Sequence, residues 1–222
     1  RTTAQARDQP MGKIVGALLF PQFELLDMFG PLEMIGTLTR ENAAGLIEEA
    51  PEIRMVAQSS DPVTSFQGPA CAVDEVISSG THFDILIIPG GPGVLAAEKN
   101  KELLDWIDVQ CERSEHVATI CTGSLLLAAT GRLNGRKATT NKSRFAQETP
   151  RFPEVAWISR ARWVEDGKYL TSSGVSAGMD MTLALVAKLY GIEAARSAAI
   201  TTEYEWHDDP TWDPFAAVHG LP

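Results

Sequence analysis

His116-Val-Ala-Thr-Ile-Cys-Thr-Gly-Ser-Leu-Leu-Leu-Ala-Ala-Thr130 decides the fold. Its first five residues, to Ile120, are apolar and strand-forming. Cys121 follows, then Thr122-Gly123, then a short apolar helix from Ser124 to Thr130 that Gly131 ends. A strand that turns sharply at a nucleophilic side chain and leaves as a helix is the layout of a nucleophile elbow. The turn is tight, so the second residue after the nucleophile must be small, and Gly123 is. A cysteine at a helix start faces unpaired N–H groups and the positive end of the helix dipole. Both favour its thiolate, so the sequence predicts a Cys121 ionised near neutral pH. Taken alone, a free cysteine is more often a buried inert side chain; the strand–Cys–Thr–Gly–helix context reverses that and favours function. Cys71 and Cys111 lack that context and read as core filler.

Working outward, strands alternate with helices. Lys13 to Phe20, Glu52 to Gln58 and Phe83 to Ile88 are apolar runs of the kind parallel sheets bury on both faces. The apolar spacing after Glu24 is helical, but Gly30-Pro31 interrupts it, so the helix is expected from about Pro31. Val63 to Val73 reads as a small hairpin, and Asp74 as the cap of a short helix. Lys101 to Arg113 is an amphipathic helix. Lys137 to Thr140 is a short strand, Lys142 to Gln147 a helix, and Trp157 to Thr171 a hairpin about Asp166-Gly167. Ser176 to Tyr190 and Ile192 to Glu203 are the last two helices; Met179, Leu183 and Val186 are helix-spaced and read as core. The pattern predicts one α/β domain, a three-layer sandwich about a mainly parallel sheet. Residues 1–12 are expected to be an N-terminal arm, 13–205 the domain and 206–222 a surface tail.

The 222 residues are 44% hydrophobic and 22% charged, with a net charge of −10. That composition excludes a disordered or collagen-like chain. The acidic balance argues against nucleic acid as a partner. No apolar run approaches the 18 or so residues a membrane span needs, so no membrane partner is expected. Three scattered cysteines suit neither a disulfide framework nor a metal site, and an odd count suits a reducing compartment. The start of the sequence has no apolar core of a secretory signal, so the cytoplasm is expected.

In open α/β sheets, ligands gather at the carboxyl ends of strands. Two further segments lie there. Pro89-Gly90-Gly91-Pro92-Gly93 reads either as a plain tight turn or as a source of backbone N–H groups that stabilise charge beside the Thr122 N–H. Asp27, among Leu25, Leu26, Met28 and Phe29, reads either as a capping carboxylate on the surface or as a buried acid with a raised pKa. His207-Asp208-Asp209 has no metal-ligand spacing and reads as solvated tail. Trp206, Trp212 and Phe215 are expected to pack on the body or on a second subunit.

Four segments together resemble the DJ-1/PfpI superfamily, a branch of the class I glutamine-amidotransferase-like, flavodoxin-like folds. They are FPQFELLDMFGPLE (20–33), FDILIIPGGPG (83–93), TICTGSLLLAATGRLNGRKATT (119–140) and YLTSSGVSAGMDMTLALVAKLYG (169–191). Asp27, Thr122 after the cysteine, and the Ser172–Asp180 stretch look most like the isonitrile hydratase group. The resemblance implies hydration of an organic isonitrile to an N-substituted formamide, with Cys121, Asp27 and Thr122 catalytic. It implies Gly90, Gly91 and Val175 as substrate-binding or oxyanion residues. It further implies a small-molecule substrate, no cofactor, no metal and a homodimer. Alternatives are a DJ-1-like glyoxalase or deglycase acting on small α-ketoaldehydes, and a non-enzymatic cysteine sensor. AraC-type sensors of this kind carry a basic helix-turn-helix segment, and none is visible here. Many relatives read Thr-Thr-His where this sequence has Thr139-Thr140-Asn141. None of the four histidines, His82, His116, His207 and His219, falls in a catalytic position, which argues against protease or amidase chemistry. Glu33 is expected to hold local structure rather than to face the sulfur.

Overall fold

The computed structural model describes residues 12–222. The strands are β1 (Ile14–Leu18), β2 (Glu52–Ala57), β3 (Val63–Thr64), β4 (Ala70–Cys71), β5 (Glu75–Val76), β6 (Ile85–Ile88), β7 (His116–Thr119), β8 (Lys137–Ala138), β9 (Ala156–Trp157), β10 (Trp163–Asp166) and β11 (Tyr169–Ser172). The helices are α1 (Leu25–Gly36), α2 (Leu38–Ala43), α3 (Val94–Ala97), α4 (Lys101–Arg113), α5 (Gly123–Ala129), α6 (Lys142–Glu148), α7 (Ala177–Tyr190), α8 (Ile192–Thr201) and α9 (Pro214–Val218).

A seven-stranded sheet in the order β10-β11-β7-β6-β1-β2-β5 forms the middle layer. Every pairing in it is parallel except the β10–β11 hairpin at one edge. The apolar runs explain the layering. Ile85 to Ile88 are buried on both faces, as are Val117 and Ala118 beside them, and a strand buried on both sides must be covered by helices on both sides. Helices α1, α7 and α8 pack together, as do α3, α4 and α5. The flavodoxin-like α/β architecture expected from the sequence is therefore present. The 63–73 hairpin is also present, as β3 and β4, and so is the turn at Gly167, whose φ is 63°, although its hairpin begins at Trp163 and Trp157 pairs with β8 instead.

Four local expectations are corrected. Helix α1 begins at Leu25, so Pro31 lies inside it. Proline removes one N–H, the rung to the Asp27 carbonyl, and the apolar face that α1 buries against α7 outweighs that loss. Asp74 caps no helix: its N–H donates to the Met55 carbonyl and its carboxylate accepts from Met55 N–H, which starts β5 alongside β2. The 137–140 strand shortens to β8 and pairs with β9 outside the main sheet. The tail is not simply a surface strand. The Trp206 indole donates to the Asp180 carbonyl at 3.1 Å, and Ala216 is fully buried. The N-terminal arm expected over 1–12 lies, Gly12 apart, outside the described residues. Among the described residues no helix is long and apolar enough to cross a membrane.

Candidate active site

Four neighbouring strands, β11, β7, β6 and β1, end on the same edge of the sheet, and each hands its chain to one wall of a single site. After β7 comes Cys121. Its φ is 57°, a left-handed conformation that costs an L-residue about 1–2 kcal/mol. The surroundings hold it there. Its N–H donates to the Ser173 carbonyl at 3.2 Å, and its carbonyl accepts from the Ser124 and Thr140 hydroxyls at 3.1 and 3.0 Å. A side chain at Gly123 would lie 2.4 Å from the Ile88 carbonyl, so the turn closes only with glycine. The elbow read from the sequence is thus present in geometry.

After β1 comes Asp27, in the first turn of α1 and wholly buried. This excludes the reading of a surface cap. Its Oδ2 accepts the Gly90 N–H at 2.8 Å, while its buried Oδ1 has no hydrogen-bond partner of normal geometry. After β6 come Gly90 and Gly91. The Gly91 N–H donates to Thr122 Oγ1 at 3.0 Å. The two amides offered by the sequence as charge-stabilising donors are therefore already engaged: Gly90 holds the acid and Gly91 holds Thr122. After β11 comes Val175, with φ 41°, an unusual angle for a β-branched residue. Its N–H points at the Cys121 sulfur, as does that of Thr122.

One residue passed over as a catalytic candidate completes the shell. Asn141 Nδ2 donates to Cys121 Sγ at 3.2 Å. Its Oδ1 accepts from the Ser143 N–H and hydroxyl at 2.9 and 2.6 Å, which leaves the amide nitrogen to face the sulfur. The signal was the Asn-x-Ser cap at the start of α6. Glu33 is exposed on α1 and away from the site. Its carbonyl accepts from Thr37, so it holds structure only through its backbone. Cys111 is fully buried on α4 and Cys71 half-buried in β4.

A cavity of about 310 Å³ opens onto Cys121 and Thr122. Pro92, Val94, Leu95, Leu125 and Val175 make its walls apolar, and Glu24, Asn141, Arg144 and Glu148 add polar groups. No histidine lines it. The electrostatics correct one expectation from the sequence. Burial, and then the nearby Asp27 charge, push the Cys121 thiol up to about 12, against the pull of the Val175, Thr122 and Asn141 donors. Burial likewise lifts Asp27 to about 7, against the Gly90 hydrogen bond. The helix start alone does not make a standing thiolate here. Two acids this close titrate as one unit, which sheds its first proton near pH 7 and above that holds a single one. The cysteine is thus a thiol with a carboxylate beside it to take its proton.

Comparison with known proteins gives the family. The DJ-1/PfpI family model matches residues 13–188. The chain is similar to an isonitrile hydratase of Pseudomonas putida, 30% identical over 190 residues, which are 86% of this chain and 78% of that protein. It is similar to the HTH-type transcriptional regulator GbdR of Pseudomonas aeruginosa, 27% identical over 84% of this chain but only 49% of the regulator. The solved structure of a ThiJ/PfpI family protein from Pseudomonas syringae superposes with a TM-score of 0.77 at 30% identity, covering 95% of this chain and 85% of that one. With a parallel sheet, a strained cysteine elbow and a buried acid all in the matched span, the chain belongs to the DJ-1/PfpI family.

Proposed function

We propose that the protein hydrates a small organic isonitrile, R–NC, to the N-substituted formamide. The observation that carries the reading is the Cys121 thiol at a mostly apolar cavity that no histidine lines, with the Asp27 carboxyl buried beside it. The similarity to the Pseudomonas putida hydratase supports the substrate class.

The chemistry needs one acid–base group and one nucleophile. Asp27 takes the thiol proton as Sγ attacks the terminal carbon, and returns it to that carbon, giving a thioimidate, R–N=CH–S. Asp27, again a carboxylate, takes a proton from the water that adds to this carbon and passes it to the nitrogen. In the tetrahedral adduct, R–NH–CH(OH)–S, Asp27 takes the hydroxyl proton as the C–S bond breaks; R–NH–CHO leaves, and that proton returns to the sulfur. Donors from Thr122, Val175 and Asn141 stabilise the transient charge on sulfur. The Thr122 hydroxyl, held by Gly91, orients the water. Gly90 positions the acid rather than the substrate.

Mass-spectrometric detection of formamide is the test. Wild type is expected to convert cyclohexyl isonitrile, and Cys121→Ala to form almost none. Turnover of methylglyoxal without any isonitrile turnover replaces the hydratase reading with that of a glyoxalase.

The same reading includes a homodimer. Leu26 and Phe29 are each 41% exposed on one face of α1, next to the turn that carries Phe66 at 54% exposure. Sedimentation velocity is expected to give twice the chain mass for wild type and a lighter species for Phe29→Glu. A monomeric wild type rules the dimer out.

A further inference from the structure

The segment Thr139-Thr140-Asn141 touches the reactive residue twice. Thr140 Oγ1 donates to the Cys121 carbonyl, and Asn141 Nδ2 donates to its sulfur. The next residue, Lys142, turns inward. Its side chain is 2% exposed, and its ammonium donates back to Thr139 Oγ1 and, at 3.4 Å, to the Thr140 carbonyl. A lysine ammonium is almost never buried without a counter-charge. The counter-charge here is Asp213, 1% exposed and 3.2 Å away, which also caps α9 by accepting from Phe215 and Ala216. Asp213 lies beyond residue 188, outside the span that matches the family. So the last helix reaches back, through one buried ion pair, to the turn that places a donor on the sulfur.

We propose that Asp213 and Lys142 are positioning residues for the cysteine chemistry: the buried pair clamps the 139–141 turn so that Asn141 meets the Cys121 sulfur. This deepens the reading of Cys121 as the nucleophile and rests on it. The physics runs through charge. While Asp213 balances it, Lys142 keeps its proton and its three donors, and it ties Thr139, Thr140 and the tail together. Without Asp213, the buried ammonium is left uncompensated and gives up its proton. A neutral amine binds the turn more weakly. Asn141 then loses register with the sulfur, and the thiolate that forms during attack loses one donor.

The test follows alkylation of Cys121 by iodoacetamide against pH, read at the Cys121 peptide by mass spectrometry, alongside isonitrile turnover. Asp213→Asn keeps the cap of α9 and removes the charge. Its alkylation rate at pH 8 is expected to fall about tenfold, the worth of one hydrogen bond to a charged group, with the midpoint moved to higher pH. In turnover, kcat is expected to fall while KM changes less than about twofold, as when an interaction made only in the transition state is lost. Asn141→Ala is expected to show the same loss, and the double variant no further loss, because both act through one contact. If Asp213→Asn does not fold, Lys142→Met with Asp213→Leu removes the clamp and keeps the site apolar and packed. An unchanged alkylation midpoint in a folded variant overturns the proposal, as do losses that multiply in the double variant. The alkylation arm reads out even if wild type turns over no isonitrile, so the two readings fail separately.

Discussion

Asp27 is the residue on which pH acts. Its carboxyl is lifted from 3.8 to about 7, chiefly by burial. An acid whose folded pKa lies above its unfolded value binds more protons in the folded state. Stability therefore falls as pH rises from about 4 through 7, and the full penalty stands above 7. The size is on the order of 4 kcal/mol. Asp27→Asn carries no such penalty. Its stability relative to wild type is expected to rise by several kcal/mol between pH 4 and pH 8 in urea titrations; a constant difference contradicts the buried acid. Activity has the opposite need. In wild type kcat/KM is expected to climb along an acid limb centred near 7, as the pair loses its first proton. Asp27→Asn should lose that limb and about 10²–10⁴-fold in rate. The candidacy of Asp27 was legible from its apolar neighbours, and that of Cys121 from its strand and turn. The ionisation of Cys121 was not legible. A helix start is visible in one segment, whereas the burial and the adjacent carboxylate that oppose ionisation come from residues ninety or so positions away. Asn141 was hidden for a related reason: its role depends on which way its amide points, and Ser143 sets that.

At the scale of elements, α1 carries the acid, α7 follows directly on the strained Val175 wall, and the two helices approach closely. A side chain at Gly178 would lie 2.8 Å from Ile120 and 3.3 Å from Pro31. Gly178→Ala therefore pushes α7 off both the strand end before Cys121 and the helix of Asp27. It is expected to destabilise the protein by about 1–3 kcal/mol, the range for overpacking, and to lower activity beyond what stability explains. A variant of wild-type stability and activity shows that the two helices have slack between them. Long apolar elements such as α7 and β6 declared themselves by periodicity. The start of α1 did not, because Gly30-Pro31 is a strong local stop signal that only the tertiary partner α7 overrides. Strand β5 was missed for the same reason, and the strand at β8 was read two residues too long. Each is two residues long, and only its pairing partner makes it a strand.

Over the whole molecule, the sheet order and the site are one fact. Asp27, Gly90, Cys121 and Val175 follow β1, β6, β7 and β11, which lie side by side in the sheet although up to 158 residues separate their starts and ends. No local segment contains the site. In urea, turnover and the folded-state fluorescence of the five tryptophans are expected to be lost at one midpoint. Turnover that fails at markedly lower urea would mean that the site opens independently of the sheet. The order of assembly has its own consequence. Long-range parallel pairing is slow to form, so a chain still emerging or half-collapsed carries its sulfur without the acid that deprotonates it or the amides that receive its charge. Competence for the reaction therefore arrives only once the last strand has docked, and until then the sulfur is an ordinary exposed thiol, open to any passing electrophile or oxidant.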